Sequence, residues 1–300
     1  MGARVGSVAG TPVVAVCTNR TPPEAAEALA ALAREVPADR LAVVTSGLSG
    51  DLVEGHRRAA PGPVVVEERP GLSLARNRAL EWAPGGGAIA YVDDDAVIAP
   101  GWWAALQRHW ASAAGDVGAI GGPIRPRWPD SPPAWISPPL MPALTLLDLG
   151  ESERELDPRE TTVYGANISF AVDALRRIGG FDPAFGHSGS RVFFSEEDEA
   201  QRKLAELGLR ILYVPDMAVE HVIPASRITR RSFARRRFAY GQSLGIRRAR
   251  PLGVALRQLG TSGPGALVAL ARRDQPLYME RAVRAAENAG VVAGSLRGRR

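Results

Sequence analysis

The stretch AIAYVDDDAVIAP, residues 88–100, sets Asp93, Asp94 and Asp95 directly behind an apolar run. Two like charges about 4 Å apart repel by roughly 1 kcal/mol in water and about 4 kcal/mol at a partly buried site. Three carboxylates at the end of a strand therefore call for a positive partner. A divalent cation is the simplest one, because Mg²⁺ and Mn²⁺ are held by one or two carboxylates and complete their shells with water and substrate phosphates. The competing reading is an acidic turn that caps the helix starting near Pro100. A second acidic cluster, Glu196, Glu197 and Asp198, occupies the first turn of another helix in SEEDEAQRKLAELG. The helix dipole favours one or two carboxylates there, and three exceed what capping uses. His221 follows the strand-like RILYVP, in DMAVEHVIP, from where an imidazole can reach the same cation.

These residues need elements that hold them. The first hundred residues alternate β-type runs at 13–16, 41–44, 64–66 and 88–92 with helical patterns near 23–35, 50–59 and 71–83. Such alternation predicts βαβ units and an α/β fold with a mixed, mainly parallel sheet flanked by helices. In such sheets ligands bind beyond the carboxyl ends of the strands, where the aspartates lie. A helix near 100–113 follows, with Trp103, Leu106 and Trp110 on one face.

From Gly122 to Pro142 eight prolines accompany Trp128 and Trp135, a pattern that fits neither a helix nor a central strand. A long structured loop is expected, of the kind that forms lids and binding walls. Then come a strand within VYGANISFAV, a short helix ending at Gly179 and Gly180, and an irregular stretch to Phe194. Ser195 and Asp198 have the spacing of a capping box, with Gly208 as the helix stop. Residues 251–300 read as helical. The division expected is one domain over residues 1–225 and a basic helical extension over 226–300.

Composition narrows the classes further. The chain of 300 residues is 45% hydrophobic and carries a net charge of +5. It is large and apolar enough to fold. No apolar run approaches the ~20 residues of a membrane span, and MGARVGSVAGTPVVAV lacks a signal-peptide cleavage pattern. With Cys17 as the single cysteine, a reducing, cytoplasmic setting is expected. Nine arginines and no acid lie between Ser226 and Arg250. This patch suits an anionic membrane surface. No nucleic-acid partner is expected, because both acidic clusters would then lack a purpose and few stacking aromatics interleave the arginines.

Six segments together resemble the family 2 glycosyltransferases: VVAVCTNR, GLSLARNRAL, YVDDDAVIAPGWW, GANISFAVDALRRIGGFDPAFG, SEEDEAQRKLAELGLRILYVP and VEHVIPASRITRRSF. The resemblance covers roughly residues 12–245 and implies a glycosyltransferase A-type fold that binds nucleotide sugars. It also implies a metal-dependent, inverting transfer from a nucleoside diphosphate sugar, a UDP-sugar being favoured, to a hydroxyl acceptor that is a saccharide, lipid-linked or small molecule. Asp95 matches the carboxylate that holds Mn²⁺ or Mg²⁺, with Asp93 and Asp94 near ribose or metal. Arg76 matches a donor-contacting arginine, Cys17 and Thr18 lie where the first strand meets the base, and His221 matches a histidine that completes the metal site.

The base has two candidates. Counting back from Leu204 and Gly208 places Glu197 on the family's catalytic position, whereas reading the letters Glu-Asp directly selects Asp198. Either carboxylate can accept a hydroxyl proton. Trp135 and Asn167 are candidates for the acceptor pocket by position. Two segments depart from the family pattern: Thr45 and Ser46 end the second strand where an Asp near the base is common, and CTNR lacks the aromatic that often follows the threonine. A catalytically silent sugar-nucleotide-binding protein is an alternative; so is a nucleotidyltransferase, although no glycine-rich phosphate loop is present near the N-terminus.

Overall fold

The computed structural model describes residues 10–183, 187–188, 191–192 and 196–297. The chain divides into two compact units, one of residues 1–126, 147–189 and 196–222, the other of residues 127–146, 190–195 and 223–300. The proline-rich segment thus joins the C-terminal helices in the second unit. The expected capping residue Ser195 lies outside the described residues.

In the first unit the chain runs through β1 (Val13–Thr18), α1 (Pro22–Ala33), β2 (Leu41–Ser46), α2 (Gly50–Ala59), β3 (Val64–Glu67) and α3 (Leu72–Trp82). It continues through β4 (Ala88–Asp93), β5 (Ala96–Ile98), α4 (Trp102–Ser112), β6 (Val117–Gly121) and β7 (Ile124–Arg127). After the excursion come β8 (Arg154–Leu156), β9 (Asn167–Ala171), α5 (Val172–Arg177), β10 (His187–Ser188), α6 (Glu196–Glu206), β12 (Arg210–Tyr213) and β13 (Val219–Val222), whereas β11 (Arg191–Val192) falls in the second unit.

Eight strands form one sheet in the order β3-β2-β1-β4-β9-β6-β12-β8. Strands β1 to β4 pair in parallel, β9 runs antiparallel to both β4 and β6, and β8 is antiparallel to β12. The sheet is therefore mixed, as expected. β1 and β2 are apolar almost throughout and buried, as strands covered on both faces must be. The order reverses between β1 and β4, since β2 and β3 lie to one side of β1 and β4 to the other; that reversal opens a crevice at the carboxyl ends.

A second sheet orders β5-β13-β7. β7 departs from the expected loop, and its Pro126 is tolerated because β7 occupies an edge, where a missing N–H breaks no ladder bond. On α4 the buried face carries Trp102, Trp103, Leu106 and Trp110. The two indole N–H groups of Trp102 and Trp110 donate to Asn167 Oδ1 and Ser169 Oγ at 3.0 and 2.8 Å, so this helix is pinned to β9 by polar bonds as well as packing.

The second unit contains a 3-10 turn over Pro138–Leu144 and the helices α7 (Arg230–Ile246), α8 (Leu252–Ala271) and α9 (Gln275–Arg297). α7 and α9 approach closely through glycines on both: a Cβ at Gly241 would lie 2.0 Å from Glu287 O, and one at Gly290 2.1 Å from Phe238 O. Any larger residue would separate the helices. The buried Glu287 carboxylate sits between Arg237 and Arg250, the latter at 2.6 Å.

Candidate active site

β1 and β4 pair with Cys17 opposite Asp93, which brings the end of one strand against the aspartates that follow the other. Thr18 Oγ1 donates to Asp94 Oδ2 at 2.5 Å. Two residues on, Arg20 reaches back, with Nε 3.3 Å from Asp94 Oδ1 and Nη2 2.6 Å from Asp95 Oδ2. Its backbone is held as well: Arg20 N donates to Thr18 Oγ1 at 3.1 Å, and the buried His56 Nε2 lies 2.9 Å from Arg20 O. Burial pushes the Asp94 carboxyl up to about 6, with Arg20 and the Thr18 hydroxyl opposing the shift. Desolvation at the same strand end pushes the Cys17 thiol up to about 12, so Cys17 stays a neutral thiol.

The second sheet delivers the histidine. β13 pairs antiparallel with β5, His221 opposite Ala96, and Val222 N donates to Asp95 O at 2.9 Å. His221 Nε2 thereby lies 3.2 Å from Asp95 Oδ1, both side chains buried. A carboxylate oxygen and an imidazole nitrogen converging in this way form a donor pair that could hold a divalent cation. Among the described residues no cluster of three or more His, Cys, Asp or Glu is arranged to hold a metal. Two protein donors fit a cation whose other positions go to water and a diphosphate.

The second acidic cluster is tied to the first through Arg76 on α3. Its guanidinium is buried, with Nη1 2.7 Å from Glu196 Oε1 and 3.6 Å from Glu197 Oε2, and Nη2 3.6 Å from Asp93 Oδ1. The Tyr91 and Phe181 rings flank it at 5.8 and 5.6 Å, and Tyr91 Oη donates to Arg76 O. Gly165 leaves it room: a Cβ there would meet Arg76 Nη2 at 2.1 Å. Arg76 is thus a bridge between acidic clusters, a role that the expected donor contact did not include. Burial and the Glu197 charge push the Glu196 carboxyl upward, against the pull of Arg76.

The loop at 162–165 is stitched along α6 and separates the three carboxylates by role. Thr162 Oγ1 donates to Asp198 Oδ1 at 2.5 Å, Val163 exchanges two bonds with the Gln201 amide, and Gly165 N donates to Glu197 Oε1 at 3.3 Å. Asp198 and Glu196 are buried, whereas the Glu197 side chain retains 17% exposure. Of the three, Glu197 is the one open to an incoming group.

Of the two positions named for an acceptor pocket, Asn167 is spent inside the sheet. Asn167 is fully buried: its amide donates to Pro123 O and Met217 O at 3.1 and 2.5 Å, and its Oδ1 accepts from Trp102. With every polar atom spent inside the sheet, it does not line an open pocket. Trp135 lies in the second unit, packed edge to face on Phe233 with ring centroids 5.1 Å apart. Arg20 was not singled out from sequence, and Glu196 was named there only as a member of the acidic cluster, not as the partner of Arg76. An arginine just past the end of β1, with three aspartates past its neighbour β4, was the available signal.

The family described as "Glycosyl transferase family 2" matches residues 13–179, more than half of the chain, and includes both β1 and the aspartates. This protein belongs to glycosyl transferase family 2. Its sequence is 28% identical to the succinoglycan biosynthesis protein ExoM of Rhizobium meliloti, over 94% of this chain and 92% of that one. It is 29% identical to a glucosyl-dolichyl phosphate glucuronosyltransferase of Haloferax volcanii over 52% of this chain, and spans about half (49%) of that enzyme's length. Among solved structures it is similar to the mannosyltransferase PcManGT from Pyrobaculum calidifontis in complex with GDP-Man and Mn²⁺, with a TM-score of 0.60, 19% identity and coverage of 96% and 90% of the two chains. GalNAc-T7 with UDP, GalNAc and Mn²⁺ matches with a TM-score of 0.54 and 13% identity over 79% of this chain and 50% of the other. The fold is the glycosyltransferase A-type fold.

Proposed function

We propose that this protein transfers a sugar from a nucleoside diphosphate sugar to an acceptor hydroxyl, with inversion and with a bound divalent cation. The observation that carries the reading is the pairing of Asp95 with His221 at the β1/β4 crevice, with Arg76 linking the neighbouring Asp93 to an open Glu197. Asp95 and His221 would hold Mn²⁺ or Mg²⁺, with Asp93 beside the donor. When bound, the cation would offset negative charge that develops on the departing diphosphate. Glu197 accepts the acceptor hydroxyl's proton as that oxygen attacks the anomeric carbon from the face opposite the leaving group. Gly165 N and Arg76 orient the Glu197 carboxylate. Asp198 holds the 162–165 loop through Thr162 and serves as a positioning group.

Thr18 and Cys17 line the approach to the base, with Cys17 as a neutral contact. A UDP-sugar is the favoured donor, and the acceptor is a saccharide, a lipid-linked species or a small molecule. The relatives named as a succinoglycan biosynthesis protein and a glucosyl-dolichyl phosphate glucuronosyltransferase, and the solved structures that hold Mn²⁺, support the class of reaction. The test is a product assay by NMR with donor, Mn²⁺ and an acceptor panel. Inverted anomeric configuration at the new bond supports the reading; retention, or no turnover with any donor, rejects it.

A further inference from the structure

Helix α8 turns small residues inward and large apolar ones outward. Ala255, Ser262, Ala266 and Ala269 are buried, and α9 is its packing partner. Leu256, Leu267, Val268 and Leu270 remain 51%, 68%, 52% and 53% exposed. Leu252, Leu256, Leu259, Leu267 and Leu270 recur at helical spacing and fall along one line of the helix. An apolar ridge of this kind in water calls for a partner.

Charge selects that partner. From residue 221 to residue 273 the chain carries twelve arginines and no Asp or Glu, and Arg257, Arg272 and Arg273 lie on α8 or at its end. A second copy of this chain would bring the same positive charge against itself. It would also meet an interrupted seam: Gly253, Gly260 and Gly263 face open space and Pro264 lies within the helix, which leaves no regular set of knobs and holes. A fluid, negatively charged surface requires neither regular packing nor acidic partners on the protein.

We propose that α8 is a docking face for an anionic lipid bilayer, with its leucines inserted at the headgroup boundary and its arginines on the lipid phosphates. The helix lies on the surface, since no helix among the described residues is long and apolar enough to cross a membrane. This proposal stands independently of the sugar-transfer reading.

The test is co-sedimentation of the full chain with phosphatidylcholine vesicles, with and without phosphatidylglycerol, at low and raised salt. The expected result is binding to the anionic vesicles alone, weakened by salt. Leu267→Glu/Leu270→Glu should reduce it at least about tenfold, because burying one leucine is worth roughly a factor of ten or more. Both positions are exposed, so the variant should keep the wild-type circular dichroism and melting temperature. Arg272→Gln/Arg273→Gln should reduce binding and flatten its salt dependence. No binding to anionic vesicles at low salt overturns the proposal, as does undiminished binding by the leucine variant. A self-association in sedimentation velocity that the leucine variant abolishes, without vesicle binding, would assign the ridge to a second copy and also overturn it.

Discussion

Arg76 Nη1 lies 2.7 Å from Glu196 Oε1, and both side chains are buried. A charge withdrawn from water in this way is tolerated only while its partner is present. Removing one member of such a pair costs about 3–5 kcal/mol, whereas replacing both with neutral groups of similar size costs far less. Arg76→Met should therefore lower the urea midpoint sharply, and Arg76→Met/Glu196→Gln should recover most of that loss. Equal midpoints for Arg76→Met and the wild type would show that Glu196 is neutral without its partner.

Glu197 and Asp198 should separate by phenotype. Glu197→Gln removes the group open to an acceptor and is expected to cut turnover by about 10²–10⁴-fold with the melting temperature near wild type. Asp198→Asn breaks the charged bond from Thr162 and should cost about 1–3 kcal/mol of stability, with turnover largely kept at low temperature. Steady-state kinetics beside thermal melts distinguish the two, and the reverse pattern would make Asp198 the base.

Arg20 shares Asp95 with any cation that binds there. Its guanidinium takes Oδ2 at 2.6 Å while His221 faces Oδ1. Arg20→Gln is expected to tighten Mn²⁺ binding in the absence of donor, read by electron paramagnetic resonance of the free ion. Asp95→Asn and His221→Ala should each weaken it. Unchanged affinity in Arg20→Gln would mean that the arginine does not compete.

Asp94 sets a pH dependence. Its carboxyl titrates near 6 in the folded chain against an ordinary 3.8, so the folded state keeps a proton that the unfolded state has released between those values. The contribution of Asp94 to stability is full below about 4 and is lost as the pH rises through about 6, by up to about 3 kcal/mol. In metal-free buffer the melting temperature of Asp94→Asn relative to wild type should climb across that window. A flat difference would place the folded pKa at its ordinary value.

The parallel half of the sheet was legible because β1 to β4 are continuous apolar runs separated by helical patterns and turn residues. The short strands β5, β8 and β13 were not, since three or four residues carry no period of their own and form only where a neighbour supplies the ladder. β9 showed as a strand but not its antiparallel direction, which depends on the long excursion before it. Asp95 and His221 were legible as a pair through chemistry and family pattern. The Arg76–Glu196 link joins residues 120 positions apart through burial, which no local spacing encodes. Asn167 misled because a polar residue in an apolar strand reads as a contact for ligand, whereas its amide closes bonds to Trp102, Pro123 and Met217.

The most direct measurement of the central claim is thermal unfolding with UDP-, dTDP- and GDP-sugars, with and without Mn²⁺, for the wild type and Asp95→Asn. Binding to the folded state adds about 2.7 kcal/mol when ligand is at a hundred times its dissociation constant. The account predicts that sugars of one nucleotide class raise the wild-type melting temperature only when Mn²⁺ is present, and that Asp95→Asn abolishes the shift. A shift that persists without Mn²⁺ or in Asp95→Asn, or no shift with any donor, would contradict it.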